Sequence, residues 1–427
     1  MELVLLTVVF LGAVALSFDI ALAMILASAV LLLVTDIVPL HLIAEKAVSQ
    51  ISLFPLLAIP GFIVAGELMN VTGLTQALGE LARSLVGRWR GGMGLATVLA
   101  CMIFGGMTGS GLAETVAIGT LMIPMLERHG YPKSFAAAIV ASGGSLGPII
   151  PPSIPMVIYA SIAPTVSVAA LFVGGVIPGI LIGLSFMAVV LFRSRIIEVR
   201  NAEDEAHAPV GRIALRALPA LMVPVIILYG TLGGFVTVTE ASILAALYVL
   251  MYGVLTRTVR FKDFFGAAEN TLLATGLFGF IIAAAGPFSF FLALYQAPEA
   301  VGRLLLGVSG GNADVLMVVV TLLLLILGCL VEATSLVIIL APILAATAAV
   351  AGIDQTHMAL VSITALMIGL FTPPVGTNLF AVVGISGEPI ERVSREVIPF
   401  AIASCIVVLA LALTPKLVTW LPHMLVK

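Results

Sequence analysis

The stretch "GSLGPIIPPSIPMVIYASIAPT", residues 144–165, carries five prolines within an apolar segment that is long enough to cross a bilayer. An interior proline removes a helical hydrogen bond and clashes with the preceding turn, at a cost of about 3 kcal/mol. In hydrocarbon, each freed backbone group is costly as well unless protein or water satisfies it. A helix broken at this depth therefore predicts that the unwound backbone is needed for binding.

The composition indicates a membrane protein. Of 427 residues, 61% are hydrophobic and 10% are charged, whereas soluble domains carry about 25% charged residues. The apolar residues form long blocks such as 316–331, and there is room for roughly ten spans of the ~20 residues that a bilayer requires. The net charge of −3 gives no indication of a nucleic-acid partner.

Basic residues gather in five short regions, which orient the segments between them because Lys and Arg concentrate on the cytoplasmic side. The regions are 83–90, 128–133, 193–216, 257–262 and 392–395. If all five lie inside, residues 92–127 start and end on the same side and form a re-entrant hairpin. Residues 313–350 form a second hairpin, which enters from the opposite face.

Five features recur in the same order in the two halves of the chain. They are Glu114–Pro124 with Glu332–Pro342, Gly130 with Gly352, Gly147 with Gly369, Pro151 with Pro373, and Pro152 with Pro374. Because the halves enter from opposite faces, they predict an inverted repeat. The first repeat is 53–200, with its hairpin at 92–127 and a broken helix at 135–164; the second is 264–415, with its hairpin at 313–350 and a broken helix at 357–385. Transporters built from inverted repeats place substrate and ion sites at such breaks.

The second break, "GLFTPPVGTNLF" at residues 369–380, favours a cation site. Its two prolines free backbone carbonyls, Gly376 permits a positive φ, and Thr372, Thr377 and Asn378 offer side-chain oxygens. A set of neutral oxygens suits a monovalent cation such as Na⁺. The alternative is a packing kink, which is common in transmembrane helices.

Six stretches together resemble the large membrane subunit of the tripartite ATP-independent periplasmic (TRAP) transporters, over essentially the whole chain. They are "PGFIVAGELMNVTGL" (60–74), "GGMTGSGLAETVAIGTLMIPML" (105–126), "GPIIPPSIPMVIYA" (147–160), "TVTEASILAALYVL" (237–250), "VEATSLVIILAPIL" (331–344) and "TPPVGTNLF" (372–380). The resemblance implies a single large-permease domain over residues 1–427. Its fold would be an all-α polytopic membrane protein of the elevator type, with about ten to eleven transmembrane helices, two re-entrant hairpins and two broken helices in an inverted repeat.

By this resemblance, the chain is the large permease subunit of a sodium-driven secondary transporter in the bacterial inner membrane. It would import an organic acid such as a dicarboxylate, sialic acid or sugar acid, which a periplasmic solute-binding protein delivers. A small four-helix membrane subunit would brace it within the lipid. No four-helix extension precedes the matching sequence, so we expect that subunit to be a separate chain. We expect no enzyme activity, and no cofactor or metal besides Na⁺ as the coupling ion.

The resemblance also implies two sodium sites, each joining a hairpin tip to a break. The first comprises Thr108, Gly109, Ser110, Gly147, Pro151 and Ser153, and the second comprises Glu332, Thr334, Ser335, Thr372, Pro373, Gly376 and Asn378. No Lys or Arg lies in the hairpins or breaks, so we expect hydroxyls, an amide and helix N-termini to hold the substrate carboxylate. The candidates are Ser110, Ser153, Thr334, Thr377 and Asn378.

Four glutamates in apolar sequence leave their roles open. Glu114 and Glu332 are predicted to occupy equivalent places just past the two hairpin tips. Each either binds an ion or a proton or caps the N-terminus of the second hairpin helix, where the macrodipole favours negative charge. Glu67 and Glu240 are interpreted as structural polar contacts.

Three other classes of protein share single features with this sequence. Residues 143–147, "GGSLG", match the G-x-S-x-G nucleophile elbow, but that elbow needs a strand-to-helix turn and the context here is helical. A channel would need rings of charged groups or carbonyls, usually in an oligomer. A sodium symporter of the same superfamily, which binds dicarboxylate or citrate without a binding protein, shares the architecture.

Overall fold

The computed structural model describes residues 2–35, 38–87, 89–197 and 210–426; Arg88 and Arg200 of the basic regions lie outside these ranges. The described residues form twenty α-helices and no β-strand, which confirms the all-α fold class. The helices are α1 (Glu2–Ala15), α2 (Ile20–Thr35), α3 (His41–Ile51), α4 (Ala58–Val71), α5 (Leu74–Val86), α6 (Gly92–Thr108), α7 (Gly111–Arg128), α8 (Lys133–Gly144), α9 (Ile154–Ile162), α10 (Val168–Ser194), α11 (Val210–Leu232), α12 (Val238–Leu255), α13 (Phe261–Leu294), α14 (Ala297–Val308), α15 (Ala313–Leu330), α16 (Ala333–Ala351), α17 (Gln355–Ile368), α18 (Thr377–Ser386), α19 (Ile390–Leu413) and α20 (Pro415–Leu425).

Eight helices in the described part of the chain are long and apolar enough to cross a membrane. They are α4 with the 3₁₀ turn that precedes it (Phe54–Val71), α10, α11, α12, α13, α15, α16 and α19. Five shorter apolar helices of 10–17 residues join them: α1, α2, α6, α17 with its following 3₁₀ turn, and α18. The chain is a multi-pass membrane protein, and the expected ten to eleven passes would include some of these shorter helices.

The first helix break lies where the prolines of residues 144–165 predict it. Helix α8 ends at Gly144 and α9 begins at Ile154, and the residues between them are not α-helical. Pro155 falls in the first turn of α9, where a missing N–H removes no intrahelical bond. Ser153 caps α9, because its side chain accepts a hydrogen bond from the Met156 N–H. The Pro151–Pro152 peptide bond is cis.

The second break has the same plan. Helix α17 ends at Ile368, continues as a 3₁₀ turn over Gly369–Phe371, and α18 begins at Thr377. The Pro373–Pro374 peptide bond in the gap is also cis. Both breaks follow a deeply buried helix: residues 135–144 of α8 and 357–368 of α17 are all buried. The interior of the molecule therefore supports the unwound backbone with packed protein.

The helices pack in two groups. Helices α1–α4 and α11–α13 pack on one another as the first group, and α6–α10 with α15–α20 form the second. Two further helices connect them: α5 packs against α6 and α11, and α14 packs against α16 and α13. The hairpin tips, where α6 meets α7 and α15 meets α16, and both breaks belong to the second group. That these elements are re-entrant and form an inverted repeat remains a prediction.

Candidate functional site

A cavity of about 780 Å³ lies between the two helix groups, within the range of about 300–1,000 Å³ that is usual for small-molecule sites. Residues of α2, α4 and α13 line one side, which we call the α13 wall: Asp19, Ile20, Glu67, Asn70, Asn270, Ala274, Leu277, Phe278 and Ile281. The other side, which we call the helix-end wall, comes from the second helix group. It contains both hairpin tips and the starts of α9 and α18.

Four helices begin at the helix-end wall. Helices α7, α9, α16 and α18 each place residues of their first turn on the cavity. Helix N-termini have N–H groups without intrahelical partners and carry about half a positive elementary charge, so this wall favours an anion. Helix α18 offers the most open end, because no side chain caps it at Gly376.

The first hairpin tip packs directly against the first break. Gly109, at φ +61°, lies so close that a methyl group there would be 2.9 Å from the Ile154 nitrogen and 3.0 Å from the Pro152 carbonyl oxygen. On the break, a methyl group on Gly147 would lie 2.2 Å from the Glu114 Oε2 atom. The structure thus brings together the tip and the break that the sequence assigned to one sodium site.

The two serines of this region act as helix caps. The Ser110 hydroxyl accepts from the Ala113 N–H at 3.5 Å, and the residue lines the cavity. The Ser153 hydroxyl donates to the Pro148 carbonyl and is fully buried. Of these two serines, both predicted to bind substrate, only Ser110 therefore reaches the cavity.

A smaller cavity of about 60 Å³ lies between the second tip and the second break. The Val375 N–H donates to the Cys329 carbonyl at 3.2 Å and joins the two elements. Gly328, near the end of α15, and Gly369, just past the end of α17, line this cavity together with Glu332, Gly376 and Thr377. The last carbonyls of a helix lack intrahelical donors and carry partial negative charge. The starts of α16 and α18 line the same cavity with the opposite polarity, so the Glu332 carboxylate is the group that makes this cavity favour a cation.

Three predicted residues of the second break line neither of these cavities. Thr372 donates its hydroxyl hydrogen to the Ile368 carbonyl at 2.7 Å, and Pro373 lies beside it. Asn378 is fully buried, and its Nδ2 donates to the Ala141 carbonyl in α8 at 3.2 Å. Asn378 therefore links the second break to the first half of the chain.

The predicted equivalence of Glu114 and Glu332 is wrong. Glu332 is the N-cap of α16, and its carboxylate accepts from the Thr334 N–H at 2.9 Å and the Ser335 N–H at 2.7 Å. In the first hairpin the N-cap is Ser110, so Glu114 lies one turn inside α7. Both Glu114 oxygens are buried and accept no hydrogen bond from an N–H or O–H group of the described residues; the buried Cys101 thiol, a weak donor, is the polar group beside the carboxyl. Capping therefore explains Glu332 but not Glu114.

The α13 wall adds polar residues that the sequence did not assign to a site. Glu67 Oε2 accepts from Asn270 Nδ2 at 3.1 Å, so Glu67 has the structural contact expected of it, but it also lines the cavity. Glu240 has a structural contact alone, in a capping box with Thr237. The sequence could have indicated a role for Glu67 in the site, because a carboxylate within an apolar helix is a functional hypothesis by default.

Comparison with known proteins adds the family. Residues 7–417 match the family model for the DctM component of the tripartite ATP-independent periplasmic transporter. The chain belongs to the DctM family. This confirms the resemblance to the large TRAP subunit.

Curated members of the DctM family cover most of the chain. The sialic acid TRAP transporter large permease protein SiaM of Vibrio cholerae is 32% identical over 92% of each chain. The C4-dicarboxylate TRAP transporter large permease protein DctM of Pseudomonas aeruginosa is 35% identical over 87% of each chain. The isethionate TRAP transporter permease protein DctMQ of Oleidesulfovibrio alaskensis is 36% identical over 89% of this chain, which spans only 60% of that relative. These relatives are transporter permeases, and this DctM-family chain is accordingly a transport component and not an enzyme.

Solved structures share the fold. MtrF of Neisseria gonorrhoeae superposes with a TM-score of 0.64 at 16% identity, covering 90% of this chain and 85% of that one. The YdaH transporter of Alcanivorax borkumensis gives the same score and identity over 87% of each chain. The DctM-family chain thus has the helix arrangement of these transporters.

Proposed function

We propose that this chain is the large permease subunit of a sodium-driven, binding-protein-dependent secondary transporter that imports a small organic acid. The observation that carries the proposal is the polarity of the helix ends. Four N-termini meet the 780 Å³ cavity, and the 60 Å³ cavity beside it adds the C-terminal ends of α15 and α17 and the Glu332 carboxylate to the starts of α16 and α18. Neighbouring sites for an anion and a cation, built from the same tips and breaks, suit a symporter.

The proposed second sodium site is the 60 Å³ cavity. A void of ~10–15 Å³ already holds a water-sized body, so one dehydrated Na⁺ has room there. Glu332 and the backbone around Gly328, Gly369 and Gly376 would surround the ion. The proposed first site is the contact of Gly109 with the first break. An ion at either place would hold a hairpin tip against its break.

The acid group of the substrate would bind at the helix-end wall. Thr377 opens α18, whose first N–H groups have no side-chain cap. Thr334 also lines the cavity, is only 8% exposed, and its hydroxyl donates to none of the described residues. Ser110 lies at the neighbouring tip. These groups can donate hydrogen bonds to a carboxylate without a basic side chain.

Transport would proceed by an elevator motion, in which the second helix group carries the cavity past the first. The separation of the helices into two groups that meet at the cavity supports this division of labour. A periplasmic solute-binding protein would deliver the substrate, and a small membrane subunit would brace the first group in the bacterial inner membrane. The named substrates of the relatives, sialic acid, C4-dicarboxylate and isethionate, support an acid as cargo.

The test is the thermal stability of the purified chain in NaCl, KCl and choline chloride at matched ionic strength. A ligand that binds only the folded state at ten times its Kd stabilises it by about 1.4 kcal/mol. We expect a saturable rise of the midpoint in NaCl alone, which Glu332→Gln reduces. Asp314→Asn, an exposed acid on α15 outside both cavities, is the matched control. Equal midpoints in the three salts would reject sodium coupling. A separate uptake assay tests the need for a binding protein: uptake without an added binding protein would favour the dicarboxylate or citrate symporter.

A further inference from the structure

We propose that the transported acid is a zwitterion, whose ammonium group binds Asp19 and Glu67 on the α13 wall. The inference rests on the proposed function and concerns the same 780 Å³ cavity. It follows from the charges of the two walls, the unsatisfied oxygens of both carboxylates and the hydrogen-bond donors that face them.

The charged side chains on the cavity are all acidic. Among the described residues that line it, Asp19, Glu67 and Glu332 carry the ionisable groups, and none is Lys, Arg or His. Glu332 is occupied with the first N–H groups of α16. The two remaining carboxylates, Asp19 and Glu67, both lie on the α13 wall, across the cavity from the helix N-termini.

Neither of these carboxylates is neutralised within the described part of the chain. One Asp19 oxygen accepts from the Ala21 N–H at 2.9 Å, and one Glu67 oxygen accepts from Asn270 Nδ2 at 3.1 Å. The other oxygen of each makes no hydrogen bond, and neither carboxylate forms an ion pair with a described residue. Glu67 lies within the apolar helix α4, where an acid without a counter-charge is costly, and a cationic group in the cavity would offset that cost. Asp19, an exposed residue just before α2, adds a second negative charge on the same wall.

The opposite wall offers donors and partial positive charge. Helix α18 begins there without a side-chain cap, and the Thr334 hydroxyl, in a residue that is more than nine-tenths buried, has no hydrogen-bond partner within the described ranges. The cavity is therefore polarised, with an end for an acid group and an end for a cation. A dicarboxylate would set its second charge against Asp19 and Glu67, which repel it.

The α13 wall also has apolar surface next to its acids. Phe278 lines the cavity together with Leu277 and Ile281. An aromatic face attracts a substituted ammonium group, and quaternary ammonium ligands are commonly held in this way. The ligand chemistry is thus a small carboxylate or sulfonate that carries a primary or methylated ammonium group.

Matched pairs of compounds test the inference directly. Glycine betaine and 3,3-dimethylbutyrate have the same shape, but only the first carries a positive nitrogen; taurine and isethionate differ by an ammonium in place of a hydroxyl. We would titrate each compound against the purified chain in NaCl and derive Kd from the shift of the thermal midpoint. We expect a zwitterion to bind at least tenfold more tightly than its partner in one pair or both.

Single substitutions test whether the acids of the α13 wall cause the preference for a zwitterion. Glu67→Gln and Asp19→Asn should bring the ratio within each pair close to one, while Glu269→Gln on the exposed side of α13 should leave it unchanged. Each variant must keep the sodium-dependent rise of the midpoint, which reports that it is folded. A preference for the zwitterion that survives in Glu67→Gln and Asp19→Asn would overturn the role of the wall.

The outcomes separate this inference from the proposed function. If the anions bind as tightly as the zwitterions in a sodium-dependent manner, or if no zwitterion of either pair binds, the inference is wrong and the symporter proposal stands on its sodium response. If sodium has no effect and neither class of compound binds, both proposals fall.

Discussion

Single glycines set how closely the second tip meets the second break. A methyl group on Gly369 would lie 2.1 Å from the Gly328 carbonyl oxygen, and the neighbouring atoms are backbone that cannot turn aside. We expect Gly369→Ala to lower the free energy of unfolding by about 1–3 kcal/mol, the usual cost of overpacking. The measurement is denaturation of the purified chain in detergent.

Gly384→Ala is the control for this substitution. Gly384 lies within α18, and no atom is within 4 Å of the position a methyl group would take. Alanine should therefore stabilise that helix by about 0.5–1 kcal/mol. Equal stability of the two variants would show that the tip does not pack on the break in solution.

The two hairpin glutamates should respond in opposite ways to replacement by methionine. Glu332→Met removes the N-cap of α16 and should cost about 0.5–2 kcal/mol. Glu114→Met replaces a buried carboxyl, whose one neighbouring donor among the described residues is the weak Cys101 thiol, by an apolar side chain of similar length, which should be neutral or stabilising. Chemical denaturation of the two variants makes the comparison. A comparable loss at both positions, seen also in a Cys101→Ala background, would mean that Glu114 has a partner besides the Cys101 thiol, such as a bound cation.

For single residues, the sequence predicted where the helices break but not which residues of distant helices touch each other. The double prolines located both breaks, since their effect on a helix is local. The assignment of the Asn378 amide to ion and substrate binding stays a prediction, since its Oδ1 atom is buried without a hydrogen-bond partner among the described residues. What the sequence did not predict is the contact of its Nδ2 with Ala141, which is 237 residues away in the chain. A contact of that separation depends on how α8 and α18 pack, and no local pattern encodes it.

Among the elements, the short helix after the first break depends on its cap. The Ser153 side chain accepts from the Met156 N–H and donates to the Pro148 carbonyl, so it fixes both the helix start and the break. We expect Ser153→Ala to lower the free energy of unfolding by about 1 kcal/mol or more. Differential scanning fluorimetry in NaCl would detect the shift.

Ser167→Ala is the matched control at the N-cap of α10. That serine is exposed and its side chain makes no capping hydrogen bond, so its loss should change the midpoint little. If both substitutions have equally small effects, the first break is held by its prolines and packing and not by the serine.

Which side of each helix in the α13 wall faces the cavity could not be predicted from the sequence pattern. Helices α2, α4 and α13 are apolar on nearly all sides, so no periodicity indicates which side faces a cavity. Asp19 and Glu67 were visible as acids in apolar sequence, but the mutual packing of α2, α4 and α13 is what places them on one wall. The helix ends of the second group were easier to predict, since proline and glycine mark them.

For the whole molecule, the inverted repeat predicts on which side of the membrane each loop lies. The loop before α15 should face outward and the start of α19 should face the cytoplasm. Single cysteines at Ala313 and Arg392, both exposed, should therefore react from opposite sides with a membrane-impermeant maleimide. Intact cells and inverted vesicles provide the two sides.

The unmodified chain is the control, because its cysteines at 101, 329 and 405 are buried or half-buried. Labelling of both new cysteines from the same side would contradict the inverted topology, while the helix packing described above would stand. The family, the helix content and the broken helices all follow from the sequence, but the side on which each loop lies needs this measurement.

The hydrogen bond from Asn378 to Ala141 ties the second break to a helix of the first half. If the chain works by the proposed elevator motion, we expect this bond to help transmit a displacement of one break to the other. If they moved independently, the protein could cross with one ion site vacant and let the sodium gradient run down without cargo. The buried amide would in this way suppress leak, and its loss should appear as a sodium current in the absence of substrate.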